Sequence, residues 1–189
     1  MYQQQLPIIL ASKSPRRQEL LKAMGLDFKI VLKDVDESYP ADLSPAEIAV
    51  YIAEKKALAF NDLDADHIVI TADTIVAFGP DILGKPADRA EAIAVLTKLS
   101  GAVHQVYTGV SINYRGQITS FYDLTEVTFN TLSAAQIIYY VDQYLPYDKA
   151  GSYGIQEWIG LVAVEKITGS YTNVMGLPTE KLYKALARL

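Results

Sequence analysis

The run HIVITADTIVAF, from His67 to Phe78, constrains this chain more than any other stretch. It is almost continuously apolar and rich in β-branched residues, the pattern of a central strand buried in a sheet. Helical patterns precede and follow it, and the order of strands and helices along the chain is mixed. An α/β class with a mixed sheet follows.

Local signals place the other elements. PIILAS (7–12) reads as a buried strand feeding a first helix, with Ser14 as N-cap, Pro15 as first helical residue and Gly25 as stop. DFKIV alternates as a second strand. SPAEIAVYIAEKKALAF opens with Ser44, Pro45 and Glu47, a capping box with proline at its first position. Asp88 and Glu91 stand at cap spacing before a third helix that Gly101 ends. Two long strands follow, with a hairpin turn at Arg115 and Gly116. Ser133 and Gln136 cap a fourth helix. The loop DKAGSYGIQ leads into GLVAVEKI, read as a strand, and a last helix starts near Pro178. There is no repeat or linker, so residues 1–189 are expected to form one domain, with room for two lobes.

The first helix poses a chemical question. Arg16 and Arg17 fall in its first turn, where the helix dipole disfavours cations. On a wheel of about 100° per residue they share a broad face with Leu20, Leu21 and Met24, whereas Gln18, Glu19 and Lys22 take the other. Two arginines above free helix N–H groups make a site for a phosphate-rich anion; the alternative is a snorkelling pair beside a core helix. Lys56 lies near the centre of the second helix's apolar face and requires a partner. Asp73 interrupts the central strand, where a lone carboxylate costs several kcal/mol unless it is paired or bound to metal. Thr74 adds a hydroxyl. Lys85, in LGKP, is a further candidate cation, and taken alone is an ordinary turn lysine. Asp36 and Glu37 form an acidic pair able to hold Mg²⁺ through oxygens, or else a solvated turn.

Other chemistries lack their signatures. No P-loop, GxGxxG or GxSxG is present, and His67 and His104 match no metal-ligand spacing, so both are read as structural. The formal charge of −5 argues against a protein that coats a nucleic-acid polymer, although a local basic cleft remains possible in principle. No apolar run is long enough to span a bilayer, no signal peptide is read at the N-terminus, and no membrane partner is expected. The absence of cysteine fits a reducing, cytoplasmic setting.

LASKSPRRQELL, IAEKKA, TADTIV, LGKP, LSG and DKAGSYGIQ together resemble the Maf family, in the family's order and spacing, from about Leu10 to Gly176. The resemblance implies a two-lobed fold like that of inosine triphosphate pyrophosphatases, with an active-site cleft between lobes. It implies cleavage of a nucleoside triphosphate to monophosphate and pyrophosphate with a divalent cation, Mg²⁺ or Mn²⁺. By that resemblance Asp73 is the proton acceptor and, with Glu37, a metal ligand. Ser12, Arg16, Arg17, Lys56 and Lys85 attend the phosphates, and Arg16, Thr74 and Gln156 bear on substrate choice. The SYGIQ form of the late loop is similar to the branch acting on dTTP and UTP rather than on 7-methyl-GTP. Lys13 and Thr71 depart from the family pattern, and Glu157 and Trp158 follow Gln156 where that branch usually carries glycine. The last two add bulk and charge near the implied base pocket. Alternative readings are house-cleaning of modified nucleotides or 7-methyl-GTP, and a non-catalytic nucleotide-binding regulator of septum formation, the process with which the family was first associated. A homodimer is a compatible assembly.

Overall fold

The structure is a computed structural model that describes residues 4–61 and 66–189. Its strands are β1 (Ile8–Leu10), β2 (Phe28–Ile30), β3 (Ile68–Phe78), β4 (Asp81–Leu83), β5 (Val103–Tyr114), β6 (Gln117–Phe129) and β7 (Val164–Thr168). They form one seven-stranded sheet in the order β2-β1-β3-β5-β6-β7, with β4 pairing to β3 off that path. β1 pairs in parallel with both β2 and β3, and β3–β4 and β6–β7 pair antiparallel, so the sheet is mixed as expected. The helices are α1 (Pro15–Ala23), α2 (Pro45–Leu58), α3 (Arg89–Leu99), α4 (Ala134–Tyr144), α5 (Trp158–Val162), α6 (Tyr171–Val174) and α7 (Thr179–Leu186). Among the described residues no helix is long and apolar enough to cross a membrane.

The chain divides into two compact units. The first comprises Met1–Thr74, Thr108–Asp123 and Gly176–Leu189; the second comprises Ile75–Tyr107 and Leu124–Met175. The long strands β3, β5 and β6 contribute to both.

In the first unit, the apolar residues of β1 are buried, as are Leu20 and Leu21 of α1. Helix α2 lies unusually close to β5. A Cβ on Gly109 would stand 2.3 Å from the Ala49 carbonyl, so only glycine allows this approach. Thr71 Oγ1 donates to the Ala53 carbonyl at 2.6 Å, which explains why a hydroxyl is tolerated in so apolar a strand. The turn after β5 holds Arg115 at φ 53° and Gly116 at φ 75°, the paired left-handed conformation that two-residue hairpins require.

In the second unit, one apolar core joins Leu96 and Leu99 of α3, Val127 and Phe129 of β6, and Ile137 and Val141 of α4. His104 is buried in it, edge-on to Phe129 and Tyr153, with Nε2 2.7 Å from the Tyr153 hydroxyl. Burial pushes His104 down to about 4 and raises Tyr153, so the imidazole is neutral near pH 7 and structural in role.

The segment GLVAVEKI is not one strand. Its first residues belong to α5, and only Val164–Thr168 pairs with β6. At Gly160 a Cβ would come within 1.7 Å of the Ile155 carbonyl, and Ala163 N–H donates back to Ile159 at 2.8 Å. Tertiary approach has closed a helical turn where the β-branched residues suggested extension. The short elements β4 and α6 carry too little periodicity to be read from sequence.

Candidate functional site

The first unit gathers most of the predicted residues. Chain leaving β1 passes Ser12, which is buried, and turns at Ser14 into α1. Ser12 Oγ accepts from Ser14 N–H at 3.2 Å and from Arg17 Nη1 at 3.3 Å. Arg17 also donates from Nη2 to Thr74 Oγ1 at 3.0 Å and from Nε to the Gly176 carbonyl at 2.7 Å. Thr74 Oγ1 in turn lies 3.0 Å from Thr108 Oγ1. The fork of Arg17 is therefore held in place by neutral oxygens from three separate stretches of chain. Desolvation is the largest influence on it and lowers its pKa; the charge of Asp73 acts in the opposite sense, and Arg16 and Glu37 add smaller effects. A guanidinium held this way keeps spare N–H donors and an unneutralised charge, which is a binding element for an anion.

The second cluster explains two features that the sequence left in tension. Lys56, in the last turn of α2, places Nζ 2.8 Å from Asp73 Oδ1 and 2.8 Å from Glu37 Oε1. The side chains of Lys56 and Asp73 are only 16% and 15% exposed, so each is the partner the other requires. Among the described residues Asp73 Oδ2 has no hydrogen-bond partner, which leaves one carboxylate oxygen able to receive a proton. The acidic pair after β2 separates. Glu37 turns to Lys56, whereas Asp36 stays in solvent with Ser38 and Lys55. The two hydrogen bonds from Ser38, then Lys55, draw Asp36 down to about 2.

Lys85 and Gln156 lie in the second unit. Both are exposed. The loop bearing Lys85 is tied to the late loop by a hydrogen bond from Gly151 N–H to the Gly84 carbonyl at 3.2 Å. Gly151, at φ 69°, packs so tightly on Val76 that a Cβ would approach its methyls to 2.9 Å. Gln156 occupies a tight turn closed by Glu157 N–H donating to the Gly154 carbonyl at 3.0 Å. Trp158 stands edge-on to Tyr139 at 5.0 Å between ring centres.

Three participants were not singled out as site residues in the sequence. Gly176 acts through its carbonyl, and its φ of 108° suits glycine; the only signal was its place in the GLP that closes the resemblance. Thr108 gave no signal, because a threonine within an alternating strand is ordinary. Tyr140 looked like one more residue of an amphipathic helix, yet its hydroxyl reaches the turn that carries Gln156.

A family model described as "Maf-like protein" matches residues 7–189. A dTTP/UTP pyrophosphatase of Flavobacterium johnsoniae is 50% identical over 183 residues, covering 96% of this chain and 94% of that protein. A dTTP/UTP pyrophosphatase of Bacteroides fragilis (strain YCH46) is 52% identical over 184 residues, covering 96% and 95%. Among solved structures, a HAM1 protein from Coxiella burnetii superimposes with a TM-score of 0.53 at 16% identity, covering 97% of this chain and 100% of that one. This last likeness is one of fold.

Proposed function

The chain belongs to the Maf-like protein family, and on that premise we propose that it hydrolyses nucleoside triphosphates, dTTP and UTP foremost, to the monophosphate and pyrophosphate. The observation that carries the chemistry is Asp73: a carboxylate in an apolar strand, ion-paired through one oxygen to Lys56 and open at the other. Lys56 fixes the orientation of the carboxylate. Asp73 Oδ2 takes a proton from water as the water oxygen bonds to the α-phosphorus. The bond from that phosphorus to the bridging oxygen breaks, and its electron pair leaves with pyrophosphate. Arg17 and Arg16 hold phosphate oxygens, and Ser12 and Thr74 keep the Arg17 fork aimed.

Glu37 and Asp73 fit a divalent cation. They offer hard carboxylate oxygens, and both already converge on one cationic atom, Lys56 Nζ. When bound, Mg²⁺ or Mn²⁺ supplies charge neutralisation at the phosphates.

Gln156 carries a donor and an acceptor on one planar amide, matching the N3–H and carbonyl edge of uracil and thymine. Cytosine, with its unprotonated N3, can be met by a flipped amide, so Gln156 by itself discriminates weakly between UTP and CTP, and purines are excluded by size. A cysteine-free chain working on small nucleotides suits the cytoplasm. The test is product analysis over UTP, dTTP, CTP, ATP, GTP and 7-methyl-GTP with Mg²⁺ and with Mn²⁺. The reading requires pyrophosphate and monophosphate as products, with UTP and dTTP leading. Release of orthophosphate and a diphosphate, or a purine nucleotide in first place, overturns it.

A further inference from the structure

The turn Gly154–Ile155–Gln156–Glu157 presents Gln156 to solvent while its neighbours turn inward. Ile155 is buried in the core of the second unit. Glu157 does not project beside Gln156, as its place in the sequence suggests. Its carboxylate folds back, only 19% exposed, to accept a hydrogen bond from the Tyr140 hydroxyl and an ion pair from Lys149 Nζ at 3.2 Å. Lys149 is itself 9% exposed and also meets Asp148 at 2.7 Å. The carboxylate packs close over Gly154, where a Cβ would stand 2.8 Å from the Glu157 carboxyl carbon and oblige the side chain to shift.

Tyr140 completes the arrangement. It is fully buried in α4 and stacks on Tyr144 at 5.0 Å. Its hydroxyl donates to Glu157 and accepts from Gly154 N–H at 3.0 Å. One phenolic oxygen therefore pins the first and the last residue of the four-residue turn, and Gln156 lies between the two pinned ends. The Tyr140 hydroxyl and the Lys149 ammonium thus restrain the turn at both ends through a partly buried charge pair.

We propose that Glu157, Tyr140 and Lys149 are positioning residues that hold the backbone from which the Gln156 amide projects and so set the choice among pyrimidine bases. The inference rests on Gln156 reading the base edge, and it adds the device that places that amide. Exposed glutamine has a large side-chain entropy, and an amide presented from a wandering backbone pairs with uracil and cytosine alike. Anchoring the turn fixes the point and direction from which the amide reaches the base.

The test compares kcat/KM for UTP and for CTP in the wild type, Tyr140→Phe, Glu157→Ala, Glu157→Gln and Gln156→Ala, each checked for thermal unfolding. Loss of folded protein lowers both substrates alike, so the UTP-to-CTP ratio responds to positioning and not to mere stability. Tyr140→Phe and Glu157→Ala should each reduce the ratio about fivefold or more, the lower end of what a single base-edge contact discriminates. Glu157→Gln keeps an oxygen that accepts from Tyr140 and should retain more of the ratio than Glu157→Ala. If Tyr140→Phe does not fold, Glu157→Ala carries the comparison. A ratio unchanged in Tyr140→Phe and Glu157→Ala but altered in Gln156→Ala overturns the positioning role and leaves the base reading standing. A ratio unchanged in Gln156→Ala overturns both.

Discussion

Helices α1 and α2 begin with the same two residues and then diverge. Ser14-Pro15 is followed by Arg16 and Arg17, whereas Ser44-Pro45 is followed by Ala46 and Glu47. At α2 every local preference is met. Ser44 Oγ accepts from Glu47 N–H, and the Glu47 carboxylate reaches back to Ser44 N–H at 2.8 Å. At α1 Ser14 Oγ accepts from Arg17 N–H at 3.5 Å, much as Ser44 Oγ does from Glu47 N–H at 3.4 Å, but the first turn holds no acid to reach back to the cap. The same unit thus contains one helix start built for the helix and one built for something else. The α1 cations oppose the dipole, the Arg17 fork is tied down by Ser12, Thr74 and Gly176, and Asp73 next to Thr74 sits in an apolar strand against Lys56. Where local rules are broken together, a bound anion reconciles them, and under the proposed function that anion is the triphosphate.

The largest break in this contrast comes from the strand rather than the helix. Asp73→Asn removes the proposed proton acceptor and should lower turnover by about 100-fold or more, while UTP binding stays measurable. Steady-state pyrophosphate release and equilibrium binding on the same variant check this; near-wild-type release contradicts it. Arg17→Ala comes next. It should weaken UTP affinity by about tenfold or more. It should also lower stability by about 1–3 kcal/mol, because Ser12, Thr74 and Gly176 lose a shared donor. Arg17→Lys keeps the charge but loses the fork and should restore little of either. Denaturant unfolding and UTP titration of both variants decide the point.

The other arm of the comparison predicts the reverse pattern. Ser44→Ala should lower stability by about 1 kcal/mol with kcat/KM unchanged. The hydrogen bonds from Ser44, side chain then backbone, lower the Glu47 pKa below its ordinary value. A lowered carboxylate contributes stability that is present above its unfolded pKa and is lost as pH falls through the folded value. Wild type and Ser44→Ala should therefore differ most near neutral pH and converge in acid. Thermal melts across that range measure the difference, and a gap that widens on acidification contradicts the assignment.

The contrast also explains what the sequence could convey. Caps, the hairpin turn at Arg115 and Gly116 and the central strand are set by residues within a few positions of one another, so all were legible. The unusual placement of Arg16, Arg17, Lys56 and Asp73 was legible too, because each violates a local rule. What satisfies them was not. Lys56 and Asp73 are 17 residues apart, and Arg17 and Gly176 are 159 apart. Gly176 participates through a backbone carbonyl that every residue possesses. The α5 turn and the inward fold of Glu157 depend on close approaches at Gly160 and Gly154, which no periodicity records.

The smallest expected energy carries the most direct test. Arg16→Ala removes a cation from a helix start, relieving about 0.3–1 kcal/mol of repulsion with the dipole. The measurement is the melting temperature without nucleotide and the shift produced by UTP, both in an Asp73→Asn background that preserves the ligand. The account predicts loss of most of the UTP-induced shift, whatever the change in the nucleotide-free melting temperature. A lower melting temperature with the UTP-induced shift intact would contradict it, because Arg16 would then serve the fold and not the ligand.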